Sequence, residues 1–451
     1  MPAVSLVRHT SLCSNILPTG ARRPLGAALI LIFGGAVSAQ AQDWTANPHW
    51  ILLDREKPLE SKAEAKPAGT QLTEAARGLN TAAPEAGRTA NLGPVGLSAE
   101  AYGTLEYSDN VRVEARGKSG LIGTVGLRFD GKYQFTEIQD LSVRGEVSNR
   151  HPFYGPGENR NLVSMAPDSM VRFNAWVSEV RLTAFLKYRR QLDPVLSPVV
   201  NNTAILDQRA LTTGLQADLP IDKGNIQASV LHEYRNQTGD DALSLATWSN
   251  IASLRASREL SAAHKAYAEF THVLSSMAGG PAARSIISSW GIGDEWRATT
   301  STVFRLGGGL LTSSYHLPRA KGDETSAQTP FLRATVQQQL RDNLGYQLSL
   351  TRTQNEGVTT NFFRLTELSL VPNWRFSEKI GFESSASYQW LRESGIIAET
   401  ARRISYTLGF GYSVRADTEA RIGYAGTRKI SDFTVRNYSQ NRIFFTLTYR
   451  F

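Results

Sequence analysis

The sequence predicts an all-β chain: a transmembrane antiparallel up-and-down β-barrel of about 16–18 strands, preceded by a signal peptide and a disordered segment. Three observations carry that expectation. From Leu97 to the end, apolar residues recur at every second position, the period of a half-buried strand. The connections alternate between short and long. The chain closes on Ile443, Phe445, Leu447, Tyr449 and Phe451, with Arg442, Thr446, Thr448 and Arg450 filling most positions between them. Alternate strand side chains point to opposite faces, so the closing segment has one greasy face and one largely polar face.

Composition narrows the alternatives. The chain has 451 residues, 37 of them glycine, with 9% aromatic and 20% charged residues. A single apolar run exceeds about a dozen residues, and it lies near the N-terminus, which excludes a bundle of membrane-spanning helices. The lone cysteine, Cys13, precedes the expected cleavage site, so the mature chain is expected to hold no disulfide and no thiolate chemistry. The formal net charge is +8. The basic residues are spread singly along alternating segments, without a Lys/Arg run interleaved with aromatics, so nucleic acid is not an expected partner.

Residues 1–41 read as a signal peptide. Arg8, Arg22 and Arg23 precede the apolar core Leu25 to Val37, and Ala39-Gln40-Ala41 supplies small residues for cleavage. Residues 42–96 are rich in Ala, Pro, Glu, Lys and Thr and lack sustained periodicity after Trp50 to Leu53. Such a composition buries too little surface to offset ordering entropy, so a mostly disordered periplasmic segment is expected, too short for a transporter plug. Residues 97–451 are the barrel.

The first strand places Leu97, Ala99, Ala101, Leu105 and Tyr107 on one face and Glu100, Tyr102, Thr104 and Glu106 on the other. In the next, Val125, Leu127, Phe129, Tyr133 and Phe135 stay in phase across Asp130-Gly131, so that dipeptide is read as mid-strand despite its turn propensity. Leu141, Val143 and Val147 mark a third. Apolar residues then fall at odd positions in Val171 to Val177 and at even positions in Val180 to Tyr188. A one-residue shift exchanges the faces of a strand, so a turn is expected at Ser178-Glu179. With it the count is eighteen; without it the count is odd, which bacterial single-chain barrels avoid. Sixteen follows if two weak strands belong to loops. Short connections include Pro220 to Asn225, Arg341 to Asn343, Ser377 to Lys379 and Ala416 to Thr418. Long ones include Pro152 to Asp168, Gln191 to Leu206, Asn236 to Leu243, Leu317 to Thr329 and Glu356 to Asn361. Short periplasmic turns and longer external loops are the asymmetry of outer-membrane barrels.

Tyr107, Tyr188, Tyr234, Trp296, Tyr388, Trp390 and Tyr449 fall near strand ends, as interfacial girdles require. The opposite face carries Arg128, Arg144, Arg172, Arg181, Arg255, Arg333, Arg415 and Arg421, with fewer acids. An Arg at the lipid midplane costs ~2–4 kcal/mol, so these are expected to line an aqueous lumen. Cross-strand pairing accounts for about half of the basic residues, and the remaining excess predicts a mildly anion-favouring channel.

Chemistry is sparse. There is no G-x-S-x-G elbow and no metal-ligand spacing, so no cofactor or metal is predicted and the chain is not expected to be an enzyme. His151 with Asp240-Asp241 is the one acid–histidine set for the alternative of a barrel hydrolase; a structural or adhesive barrel is a further alternative. Asp240, Asp241, Asp323 and Glu324 form a loose acidic set able to attract divalent cations.

Two stretches carry a family resemblance. Phe445, Leu447, Tyr449 and terminal Phe451 resemble the terminal signal that the barrel-assembly machinery reads in Gram-negative outer-membrane barrels. Tyr107-Ser108-Asp109-Asn110-Val111 is similar to the first-strand ending of porin-like barrels associated with extracellular polysaccharide export. Read from the residues alone, that motif is an Asx-type turn opening the first loop. The resemblance implies the cell outer membrane, with outer-membrane lipid, lipopolysaccharide and the assembly machinery as partners. Its implied function is passive passage of small polar or anionic solutes, with a link to polysaccharide export.

Overall fold

The fold comes from a computed structural model that describes residues 90–92, 95–111, 117–154, 162–165, 169–194, 205–238, 244–278, 283–318, 322–357, 360–395 and 398–451. The predicted signal peptide, nearly all of the predicted disordered segment, Asp240 and Asp241 lie outside these residues.

The strands in chain order are β1 (Ala90–Leu92), β2 (Val95–Ser108), β3 (Gly120–Thr136), β4 (Gln139–Tyr154), β5 (Leu162–Met165), β6 (Met170–Val177) and β7 (Val180–Pro194). They continue as β8 (Ile205–Ile221), β9 (Gly224–Thr238), β10 (Ser244–Glu259), β11 (His264–Ala278), β12 (Ala283–Thr299), β13 (Thr302–Tyr315) and β14 (Ser326–Arg341). The last are β15 (Leu344–Glu356), β16 (Phe362–Arg375), β17 (Ile380–Glu393), β18 (Thr400–Arg415), β19 (Thr418–Ser431) and β20 (Tyr438–Arg450). Each wall strand pairs antiparallel with its sequence neighbour, and β20 pairs with β2. The result is a closed, up-and-down barrel of eighteen wall strands.

The count reconciles twenty strand segments with eighteen staves. β5 pairs with the upper half of β4 through Val147↔Met165 to Arg150↔Leu162, and β6 with its lower half through Gln139↔Ala175 to Arg144↔Met170. β5 and β6 are therefore one stave broken in two. The expected loop Pro152 to Asp168 is correspondingly shorter, because β4 runs to Tyr154 and Leu162–Met165 rejoins the wall. β1 pairs with Val95 to Leu97. It covers the part of β2 below Ala99, where β20 has already ended: the Phe451 amide bonds the Ala99 carbonyl at 2.9 Å. The last residues of the segment expected to be disordered thus form a strand at the closing seam.

β3 runs unbroken through Asp130 and Gly131. β6 and β7 meet in a two-residue hairpin, Val177↔Val180, in which Ser178 takes a left-handed φ of 55°. Hairpins of this length require such backbone because its twist matches that of the strands.

Leu215, Val230 and Ile292 are 66%, 64% and 73% exposed on the outer face, whereas Thr104 and Thr446 on the inner face are 3% and 2% exposed. An apolar outside around a polar inside is inverted relative to a soluble sandwich and fits lipid contact.

The seam between β2 and β20 explains the Tyr107 to Val111 stretch. The Asn441 amide and side-chain amide both donate to the Asp109 carboxylate at 2.6 Å. Asn110 Nδ2 donates to the Ser439 carbonyl at 2.8 Å, and Gln440 Nε2 donates to the Asn110 carbonyl at 2.8 Å. The motif therefore does more than turn the chain: it fastens the first strand to the last across 332 residues of sequence. Hydrogen bonds to a charged acceptor contribute about 1.5–3 kcal/mol. Asp109→Ala is expected to lower the temperature at which the folded barrel loses its compact gel mobility, while Asp432→Ala, away from the seam, changes it less.

Candidate functional site

The lumen is the site, and its lining follows from strand phase. On the closing side, Glu100, Arg128 and Glu146 lie on one registered row across β2, β3 and β4. Arg128 bonds both acids at 2.7 Å. Across the seam Glu100 meets Arg450 at 3.4 Å, Arg450 meets Glu419 at 3.0 Å, and Arg421 reaches Glu383 at 2.7 Å. Arg421 spans β18 to do this because Gly409 and Gly411 face it there without side chains. Higher on the same wall, Glu106 lies 3.7 Å from both Arg150 and Arg442. Tyr102 donates its hydroxyl to Glu146 and lies 4.4 Å from the Arg128 guanidinium. Charges alternate in sign along this chain, so Arg128, Arg421 and Arg450 each stabilise two acids.

The opposite sector, β7 to β14, is lined differently. Phe185, Leu231, Ile251, Val273, Ile287, Leu311 and Phe331 form one buried apolar cluster on the inner face. Cross-strand register aligns Leu231 with Ile251, Ile251 with Val273, and Val273 with Ile287. Gly214 makes room for it, since a Cβ there would overlap the Phe185 ring. Hydroxyls flank the row, with Ser249 bonded to Ser275 at 2.9 Å and Ser229 to Ser253 at 2.5 Å. The sequence reading missed this row because it followed a single apolar phase along each strand. Consecutive apolar pairs such as Val273-Leu274, Ile286-Ile287 and Leu310-Leu311 were the available signal, since one member of each must face inward.

The eight predicted luminal arginines divide by partner. Arg128, Arg144, Arg333 and Arg421 are ion-paired, with Asp130 2.7 Å from Arg144 and Glu269 3.5 Å from Arg333. Arg181 is buried and bonds Asn174 Oδ1 at 3.2 Å. Arg255 stacks 4.3 Å from the Tyr267 ring centre, and Arg172 is half-buried on β6 beside Met170. Arg415 sits exposed at a turn, beyond a register shift at Ser413/Arg415, so strand alternation does not set its facing. The reading also missed acids that matter: Glu419 joins the seam chain, and at the loop end Glu399 bonds Lys429 and Arg436, each at 2.8 Å.

The terminal residues Phe445, Leu447, Tyr449 and Phe451 lie on the outward phase of β20 and just beyond it, with Phe445, Tyr449 and Phe451 exposed. Tyr449 and Phe451 rings meet at 5.1 Å, and Trp374–Phe376 and Phe382–Phe410 pairs lie at 4.1 and 4.9 Å. Near the loop end, Tyr234 meets Trp248 at 5.4 Å and Tyr388 meets Trp390 at 4.2 Å. Two aromatic girdles bound an apolar outer belt around a closed wall, and only a membrane with water on both sides matches that surface. The molecule is an outer-membrane β-barrel.

No family model matches the sequence, and neither does any curated protein. Among solved structures, the FrpB iron transporter from Neisseria meningitidis (F3-3 variant) aligns at 8% identity and a TM-score of 0.46 over 74% of this chain and 62% of that one. This chain thus spans less than two thirds of that transporter's length. Pseudomonas aeruginosa OccK5 (OpdH) aligns at 12% identity and a TM-score of 0.45, over 79% of this chain and 98% of that one. Pseudomonas aeruginosa OpdK, solved with vanillate, aligns at 10% identity and 0.43, over 79% and 99%. The belt and the closed wall, not these likenesses, carry the location.

Among the described residues no group of three or more metal-ligating side chains converges. Asp323 accepts the Asn361 amide at 2.6 Å, a loop-to-loop contact. His151 is exposed with its ring 5.3 Å from Phe153, and its proposed acid partners lie outside the described residues. Removing Arg128 leaves Glu100 without one of its two bridging cations and Glu146 without its guanidinium. Arg128→Met is therefore expected to shift the zero-current potential of single barrels in a salt gradient toward cations; an unchanged potential would mean that this row does not face the permeating solution.

Proposed function

We propose that the protein is a porin-like channel for passive passage of small polar solutes, with at most a weak preference for anions. One observation carries this reading: an eighteen-strand closed wall whose inner face is hydrogen-bonded and charge-paired around its seam. Barrels of about this size are wide enough for an aqueous channel, whereas eight-stranded ones fill with side chains. The pairing of luminal arginines with Glu100, Glu146, Glu269, Glu383 and Glu419 tempers the anion preference that the basic composition alone implies.

The link to polysaccharide export rests on the Tyr107 to Val111 stretch, and the seam accounts for Asp109 and Asn110 without an exported polymer. Small solutes are therefore the better reading. The barrel is read as non-enzymatic, since the conductive role needs no nucleophile. Purified barrels in planar bilayers are expected to show steady ohmic conductance, with a modest anion preference that shrinks as salt rises and screens the lumen. Absence of conductance, together with no swelling of liposomes in the smallest sugars, would contradict the channel.

A further inference from the structure

The outward face of β10 to β12 departs from the belt around it at the turn end. Along β12 the outward side chains run Trp290, Ile292, Asp294, Trp296. Asp294 thus lies between Ile292, 73% exposed, and Trp296, 43% exposed, on the hydrocarbon side of the girdle tryptophan. A carboxylate facing lipid is unfavourable unless a counter-charge covers it. Its partner in the protein is His264, whose Nδ1 lies 2.8 Å from Asp294 Oδ2. The His264 ring stacks parallel to Trp296 at 6.0 Å. When Nδ1 carries the proton to Asp294, Nε2 of the neutral ring is left as an acceptor. Trp296 is itself stacked between His264 and Phe304, at 6.0 and 5.1 Å, so it holds the imidazole in place, and an acid and a ring acceptor meet in one spot, surroundings that favour an ammonium group.

A cation of the opposite preference sits two strands away. Register places Arg258 opposite Ala266, and Ala266 opposite Asp294. Arg258 is exposed, and about 10 Å of sheet separates it from Asp294 across the short Ala266 side chain. The next outward row, Ala256, Ala268 and Ile292, continues the low floor, and Leu254, Phe270 and Trp290 form the row above it. A guanidinium for a phosphate and an acid for an ammonium thus flank Ala266 in one row, and an alanine floor for a chain continues up the face from it.

We propose that this face binds a zwitterionic phospholipid of the periplasmic leaflet bearing a primary ammonium, of the phosphatidylethanolamine type. Arg258 takes the phosphate, Asp294 with His264 takes the ammonium, the headgroup between them covers Ala266, and an acyl chain lies over Ala268 and Ala256. The site is independent of whether the lumen conducts.

The test is competitive lipid retention by native mass spectrometry, with the barrel in micelles doped equally with phosphatidylethanolamine, phosphatidylcholine and phosphatidylglycerol. The wild type is expected to retain the ethanolamine lipid about fivefold or more over the other two, since a quaternary ammonium lacks N–H donors and a glycerol headgroup lacks the cation. Asp294→Asn is expected to erase the preference over phosphatidylcholine, and Arg258→Gln to reduce retention of all three, with heat-modifiable gel mobility reporting that the variants fold. Equal retention of the three lipids by the wild type would overturn the proposal, as would a folded Asp294→Asn that keeps the preference or a stable dimer that retains no lipid. Should Asp294→Asn fail to fold, the wild-type competition decides alone.

Discussion

A sheet that crosses a membrane cannot keep an edge, because unpaired N–H and C=O groups find no water in the hydrocarbon. For this chain that constraint falls on one seam, where β2 must meet β20 after the whole wall has been laid down. Backbone pairing runs from Glu100↔Arg450 to Ser108↔Arg442, and side chains fasten it at three heights. Glu100 holds Arg450 near the turn end, Glu106 lies between Arg150 and Arg442 higher up, and Asp109 holds Asn441 at the loop end. The polar contacts face inward or sit at the rim, so closing the seam places no unpaired charge in lipid. The apolar phase of β20 is left outside, where Phe445, Tyr449 and Phe451 join the belt.

The same seam shapes the lumen. The charges that secure closure concentrate on β17 to β4, and the sector half a turn away, β7 to β14, carries the apolar row and its hydroxyl flanks. The two walls of the lumen therefore differ in kind. The ionic wall is self-neutralising, because Arg128, Arg421 and Arg450 each bridge two acids. A basic sequence thus folds into a lumen whose field is weaker than its composition suggests.

What was legible in the sequence was local. Alternation fixed which face of β2, β3 and β20 meets lipid, and a single phase break located the Ser178-Glu179 hairpin. Even the unbroken passage through Asp130-Gly131 could be read, since a turn there would have reversed the phase. The rest depended on long-range register. Glu419 meets Arg450 only because β19 and β20 pair with a particular offset, and Asp109 meets Asn441 only after closure. The break between β5 and β6 escaped notice because Leu162–Met165 is too short to show a period. Asp294 escaped for the opposite reason: within an alternating strand, its phase is that of the lipid face, where an acid is not looked for.

Closure in one register is the central claim, and a cross-link tests it most directly. Hydrogen bonds at Asp109/Asn441 and Phe451/Ala99 make Thr104/Thr446 a non-hydrogen-bonded pair, the closer kind, with Cα atoms about 4.5 Å apart and suited to a disulfide. With Cys13 replaced by Ser, the pair Thr104→Cys and Thr446→Cys should oxidise in the membrane-inserted protein to a bond that resists heat unfolding on a non-reducing gel. Efficient bonding of Thr104→Cys with Gln440→Cys instead, and none with Thr446→Cys, would show a different register and contradict the account.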